Sequence, residues 1–451
     1  SLVPEILSLA KDDNEQGLAG RLSYAYDGKY MAEVNMGYNG SENFAKGHRW
    51  GFFPSIALGY NISEESFFEP LRKVITSMKL RGSWGLVGND QIGGERFIYM
   101  PTINLSGKGF TTGIDQNYGL SGPVYTRYEN NSITWEVGEK INLGIDLQLL
   151  NSLNIVVDIF RETRRDIFQK KGTIPTYLGT GNTDVFGNLA EMKNQGLDLS
   201  IDYNKAFSKD FYMNFKGTFT YAHNEITKYD EAPKYAFQSK VGQSANVSQG
   251  YLSNGLFLDE AEIDRYNQQM GSTLGAGDIK YLNVSNMHGY GDDIVDVDDW
   301  TWIGNPTVPE IVYGFGPSFK YKNWDFSFFF QGVAKTSLFM SGFHPFGDNS
   351  LRNVLQFVAN DRWSPTNQNV DAKYPRLTRK TSLNNTNPGN SGRTSDYWMR
   401  DGSFLKLKNM ELGYTFKRMR FYISGSNLLT FSKFDLWDPE QGGGSGLKYP
   451  T

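Results

Sequence analysis

Between Trp135 and Phe160 hydrophobic and polar residues alternate with a period of two. Trp135, Val137, Ile141, Leu143, Ile145, Leu147 and Leu149 fall on one face, opposite Glu136, Gly138, Lys140, Asn142, Gly144, Asp146 and Gln148. Only Glu139 breaks the apolar set. Asn151-Ser152 stands where a tight turn belongs, and Leu153, Ile155, Val157 and Ile159 resume the pattern. Period two marks a strand with one apolar and one wet face. A membrane-crossing strand takes about 9–11 tilted residues and alternates in the same way. The segment therefore predicts a hairpin of a transmembrane β-barrel, with Leu143, Ile145, Leu147, Ile155 and Val157 facing lipid.

Similar stretches recur along the chain. Leu22, Tyr24 and Tyr26 share one parity before the hairpin signal Asp27-Gly28, and Tyr30, Ala32, Val34, Met36 and Tyr38 follow it. Phe52 to Ile62, Met78 to Leu86, Leu197 to Tyr203, Phe211 to Tyr221, Ile311 to Tyr321, Trp324 to Phe330 and Phe421 to Leu429 alternate too, with Phe326 and Phe328 on the apolar parity. Leu405 and Leu407 lie out of phase with Met410, Leu412, Tyr414 and Phe416, so a bulge is predicted near Lys408-Asn409. Residues 63–76 hold room for one short helix, with Pro70 suited to its first turn. The count is about twelve strands. Short connections (27–28, 63–76, 151–152, 204–210, 322–323, 417–419) alternate with long ones (39–50, 88–131, 163–191, 224–309, 335–401). An outer-membrane barrel sorts its connections this way, short on one rim and long on the other. Residues 88–131 read as Gly-rich loop without period.

Composition narrows the classes. The chain has 451 residues, no Cys, 49 Gly, 15% aromatic residues and a formal net charge of −4. There is no disulfide framework, no thiolate metal site and no basic footprint for nucleic acid. No apolar run is long enough for a transmembrane helix, while a mean hydropathy of −0.48 suits strands with one wet face. The first residues lack a signal-peptide layout, so an internal piece of a longer chain is expected.

Several strings resemble a known family: Tyr26–Val34, Leu80–Asp90, Ile133–Asp146, Ile303–Gly316, Trp324–Gly332, Phe404–Phe416 and Arg420–Phe431. Together they look like the C-terminal half of the barrel of SusC/RagA-type TonB-dependent transporters of Bacteroidetes. The resemblance implies an all-β, 22-stranded antiparallel barrel in the outer membrane, a strand number known for plugged transporters. It further implies a plug and TonB-contacting segments upstream, a final strand after Tyr449-Pro450, and a SusD-type surface lipoprotein as lid. Its cargo would be a large nutrient, an oligosaccharide or an oligopeptide. Twelve strands alone would leave the Leu22 and Phe421 strands needing further partners.

Few residues invite chemistry. Asp292, Asp293, Asp296, Asp298 and Asp299 form an acidic run, and related transporters carry a calcium-loop-like pattern there. A full loop needs alternating oxygen ligands and a Gly at its bend. Here Asp293 holds the glycine place and Asn283, Ser285 and Asn286 scramble the upstream ligands. Calcium at Asp292, Asp296 and Asp298 competes with a solvated acidic loop. Trp300 and Trp302 suit stacking on sugar rings or peptide side chains, or packing of the loop base. His48, His223, His288 and His344 show no metal spacing, and no nucleophile–base set or carboxylate pair stands out, so no enzyme is expected. Beside active import stand two other readings: a passive porin, and a soluble β-class glycan-binding surface protein.

Overall fold

The alternating stretches are strands and pair in chain order. A computed structural model describes residues 15–92, 97–175, 184–266, 268–269, 274–290, 292–340, 354–377 and 394–442. His344 and Tyr449-Pro450 lie outside them. The twelve strands of the main sheet are β1 (Glu15–Tyr26), β2 (Tyr30–Ser41), β3 (Trp50–Asn61), β4 (Ile75–Asn89), β5 (Glu136–Leu149), β6 (Leu153–Lys170), β7 (Phe186–Ala206), β8 (Phe211–Lys228), β9 (Ile311–Tyr321), β10 (Trp324–Ala334), β11 (Phe404–Phe416) and β12 (Met419–Ser432). Two compact units result, one dominated by residues 1–200 and the other by residues 243–451 with 201–222.

In the first unit the register from β1 to β6 sorts the faces as the alternation predicts. Leu143, Ile145 and Leu147 align with Ile159, Val157 and Ile155, and on the other side with Gly82, Leu80 and Met78. Leu80 and Leu58 in turn flank Tyr60 and Ala32. The nine residues Ile141–Leu149, at about 3.3 Å each and tilted roughly 40°, span about 23 Å, close to the ~25 Å apolar band of such barrels. Glu139 marks its upper edge: it accepts a hydrogen bond from the Trp84 indole at 2.9 Å and pairs with Arg165 at 3.8 Å.

In the second unit Phe319, Phe326, Leu412 and Ile423 form one apolar cross-strand row, and Phe315, Phe330, Leu407 and Leu429 another. Between them the pairing slips at Lys408, the bulge that the phase change predicts.

Several connections carry more structure than their sequence suggests. Residues 63–76 hold two 3-10 turns, Ile62–Glu64 and Ser66–Lys73, with Pro70 inside the second, not at its start. Residues 88–131 contain a two-stranded hairpin, Thr102–Thr112 with Tyr118–Arg127. β6 and β7 run on to Lys170 and back from Phe186, which shortens the 163–191 loop. Beyond Ile159 the string Arg161-Glu162-Thr163-Arg164-Arg165-Asp166 is polar on both parities, so the strand continues where the alternation stops.

Candidate functional site

The polar face of the first unit is organised by Arg81. Its Nε and Nη2 donate to both oxygens of Asp146 at 2.8–3.0 Å, and Nη2 also reaches Asp158 at 3.0 Å. The guanidinium lies across Gly144. A Cβ there would meet Asp158 Oδ1 at 2.5 Å and Arg81 Nη2 at 2.8 Å. Lys140–Glu162, Arg164–Glu136 and Arg21–Glu33 pairs extend the charged stripe. These pairs hold the wet side chains flat against the wall.

The second unit repeats the device. Arg420 spans Asp325 and Glu411, donating from Nε to Asp325 at 3.2 Å. Gly413 lies beneath, where a Cβ would come within 2.6 Å of the Asp325 carboxylate. Beside it Asn214, Ser318, Ser327, Glu411 and Ser424 stand in one cross-strand row lining a concavity of about 500 Å³. Nearer the long loops Lys406 is fully buried, bonded to Asp438 at 2.6 Å and Glu440 at 2.7 Å.

Above this sheet the loops of the second unit fold on themselves. Short ladders join Ser248–Gly250 to Thr301–Ile303, Ser253–Leu256 to Ile279–Tyr281, and Ser337–Phe339 to Met399–Asp401. They enclose Tyr251, Leu256, Ile279, Tyr281, Met340, Val358, Trp363 and Trp398. Asp278, itself buried, grips Arg376 at 2.6 and 3.0 Å, and this hydrogen-bonded pairing raises the pKa of the guanidinium.

The sequence-derived candidates all sit in this layer. Trp300 packs against the buried cluster, edge-on to Tyr251 at 6.1 Å. Trp302 is partly open and donates its indole N–H to Ser239 O at 2.8 Å. Asp296 caps a 3-10 turn, accepting from Asp298 N at 2.8 Å, while Asp299 accepts from Ser285 N and Asp296 N. Asp298 takes the Lys234 ammonium and the Tyr235 hydroxyl. Asp292 accepts from Asn283 Nδ2 at 3.1 Å and from Ile294 N at 3.2 Å. Calcium takes roughly six to eight converging oxygens. Here the carboxylates face N–H donors and an ammonium, and among the described residues no three acidic or histidine side chains gather. So arranged, the run does not fit a cation.

What the run anchors instead is an aromatic platform. Tyr235 stacks on Phe237 at 5.4 Å, Phe237 on His288 at 4.7 Å, and Tyr290 closes on Tyr235 at 4.3 Å. Asp298 ties it down through Lys234, and Ser239 links it to Trp302. Its members come from segments about fifty residues apart, and no local spacing announces them. The cluster Tyr-Ala-Phe beside two cations, Lys234 and Lys240, is the only trace in the sequence.

The family description "TonB dependent receptor-like, beta-barrel" matches residues 8–428. SusC, a TonB-dependent receptor of Bacteroides thetaiotaomicron, is 28% identical over 93% of this chain and 41% of its own length. TonB-dependent receptor P3 of Formosa agariphila is 27% identical over 93% of this chain and 41% of its own. The RagAB peptide transporter shares the fold, with a TM-score of 0.68 at 21% identity over 95% of this chain and 45% of that one. The chain thus spans less than half the length of the relatives it matches. Its paired strands, one apolar and one ion-paired face, and long folded loops are those of the wall of an outer-membrane barrel, and the chain belongs to the TonB-dependent receptor-like β-barrel family.

Proposed function

We propose that this chain supplies the C-terminal part of the barrel wall and the outward loops of an active importer of the SusC/RagA type. The importer moves a large nutrient, an oligosaccharide or oligopeptide, and draws on TonB through segments outside this chain. The remaining strands and a plug complete the barrel beside β1 and β12, whose residues are almost all exposed. A SusD-type lipoprotein caps it over the loops at 88–131, 224–309 and 335–401. The observation that carries this reading is the folded loop layer above a charged, glycine-floored wall. A passive pore gains nothing from a separate buried core outside the membrane, whereas a receptor needs a fixed surface there. Trp302, partly open beside the stacked Tyr235–Phe237–His288 group, offers a ring to sugars or side chains, and an aromatic ring accepts either class. The exposed hairpin Thr102–Arg127 suits the lid.

Uptake of labelled oligomers by cells carrying the full-length protein tests this. Import that stops when the proton-motive force is dissipated, and that needs the surface lipoprotein, supports it. Import that survives both treatments would leave a passive porin.

A further inference from the structure

The short-turn rims of the two units differ in charge. In the first unit Lys29, Arg72 and Lys73 are set against Asp27, Glu64, Glu65 and Glu69. Lys29 and Tyr30 both bond Glu65, so this rim neutralises itself. In the second unit the turns at 204–210, 322–323 and 417–418 carry Lys205, Lys209, Lys322, Lys417 and Arg418 against the single carboxylate of Asp210. All five cations are exposed, and none pairs with a carboxylate among the described residues.

Two further observations bear on these cations. Three of them stand over a neighbouring ring: Lys205 over Phe207, Lys322 over Tyr321 and Lys417 over Phe416, each 5.5 Å from the centroid. The rings continue the apolar band, so each ammonium is held just past the edge of the hydrocarbon, where amphipathic side chains settle. Moreover, Lys322 and Lys417 lead their turns at φ of 51° and 56°. That conformation favours Gly or Asn. Both turns thus keep a lysine where the backbone prefers another residue.

Short turns of such barrels face the periplasm, so this rim meets the headgroups of the inner leaflet. We propose that the short-turn rim of the second unit is a binding surface for the phosphates of anionic phospholipids. It rests on the outer-membrane placement of the chain. Phosphate offers the charge and the acceptor oxygens that five ammonium and guanidinium groups lack, and clusters of four or more such cations beside a membrane read as anionic-lipid sites.

The test uses the full-length protein in nanodiscs of phosphatidylcholine with a minor fraction of phosphatidylglycerol, followed by native mass spectrometry of the retained lipids. Reconstitution is scored first, so a failure of the membrane placement shows separately. The wild type should retain phosphatidylglycerol in preference to phosphatidylcholine, on the order of tenfold at low salt, with the preference falling as salt rises. Lys322→Asn, Lys417→Asn and Arg418→Gln together should lower it at least about fivefold. Asn suits the positive φ, so the fold, checked by heat-modifiable migration, is kept. Arg72→Gln with Lys73→Gln in the first unit should leave it unchanged. Equal retention of the two lipids by the wild type, an undiminished preference in the triple variant, or an equal loss on changing the first unit would each overturn the proposal.

Discussion

Both units leave their sheets through long loops, but they pack them differently. The first gathers Phe44, Ile92, Ile98, Ile133 and Trp135 into a small cluster seated on strand ends, with the Trp135 indole donating to Arg49 O at 3.0 Å. The hairpin above it has almost no cover: Leu105 is 78% and Phe110 72% exposed. The second unit instead builds a core almost entirely from loop residues, eleven of them buried, with Phe357, Leu436 and Trp437 around them. A two-stranded ribbon alone is marginal in water, so the first loop layer depends on something else for its shape. The second carries its own.

The largest effect expected from breaking this contrast is Trp398→Ala. Trp398 is 1% exposed in the loop core, and truncating such a side chain costs about 3–5 kcal/mol. Limited proteolysis should open residues 243–401 while heat-modifiable migration, which reads the strands, is kept. If strands and loops fail together, the loop layer is not a separate folding unit. Next, Ile145→Arg puts a charge in the apolar band and should cost roughly 2–4 kcal/mol in lipid. Unchanged unfolding in lipid would mean that the strand's faces are misassigned.

Gly144→Val tests the ion-paired wall. A side chain there displaces Arg81 from Asp146 and Asp158, at about 1–3 kcal/mol for the charged groups left unmatched. Gly413→Val should act alike under Arg420 and Asp325, and unfolding in lipid should come at lower denaturant in both. A loss of stability in one variant only would break the parallel between the units.

The smallest effect is one of pH and belongs to the second loop layer. Burial raises the carboxyls of Asp438 and Glu440, but the lysines at Lys406 and Lys408 outweigh it and hold both below the usual range. Glu262 follows the same balance, burial against Lys280 and the Leu258 N–H. Their folded values lie below their unfolded ones. The stabilisation is therefore present above the ordinary carboxylate range near pH 4 and is lost as pH falls through the depressed values. Hydrogen-exchange protection over residues 433–442, corrected for the slower intrinsic amide exchange at low pH, should fall at pH 3 relative to pH 6, and equal protection at both would remove these pairs as a support of the layer.

Strand faces, turns and even the slip at Lys408 were legible in the sequence, because one side of each strand meets hydrocarbon and the other water, which stamps period two on the chain. Where both sides are wet the stamp disappears. β1 already starts at Glu15, and β6 continues through Arg161–Lys170. In the hairpin at 102–127 three register shifts and Gly107, Gly109 and Gly113 erase what alternation remained. The site was less legible still. Trp302 and Asp298 could be picked out one by one, but Tyr235 and Phe237 meet them only through the fold. Arg81, Asp146 and Asp158 likewise come from three strands, and the one clue was a glycine, Gly144, on a polar parity.

The slip at Lys408 makes β11 a strand read in two frames. Phe404 and Lys406 turn inward in one, and Met410, Leu412 and Tyr414 turn outward in the other. Against β10 the ladder runs Phe330–Leu407, Phe329–Asn409 and Phe328–Met410, so Lys408 is the one residue without a place in it. Deleting Lys408 would merge the frames and leave the faces as they are, with Leu405, Leu407, Met410 and Leu412 outward and Lys406 inward. A one-residue deletion at this point thus acts on the wall as a compensating change that restores a reading frame acts on a message, whereas the same deletion at Glu411 would shift the frame and turn the apolar residues of one half into the wet interior.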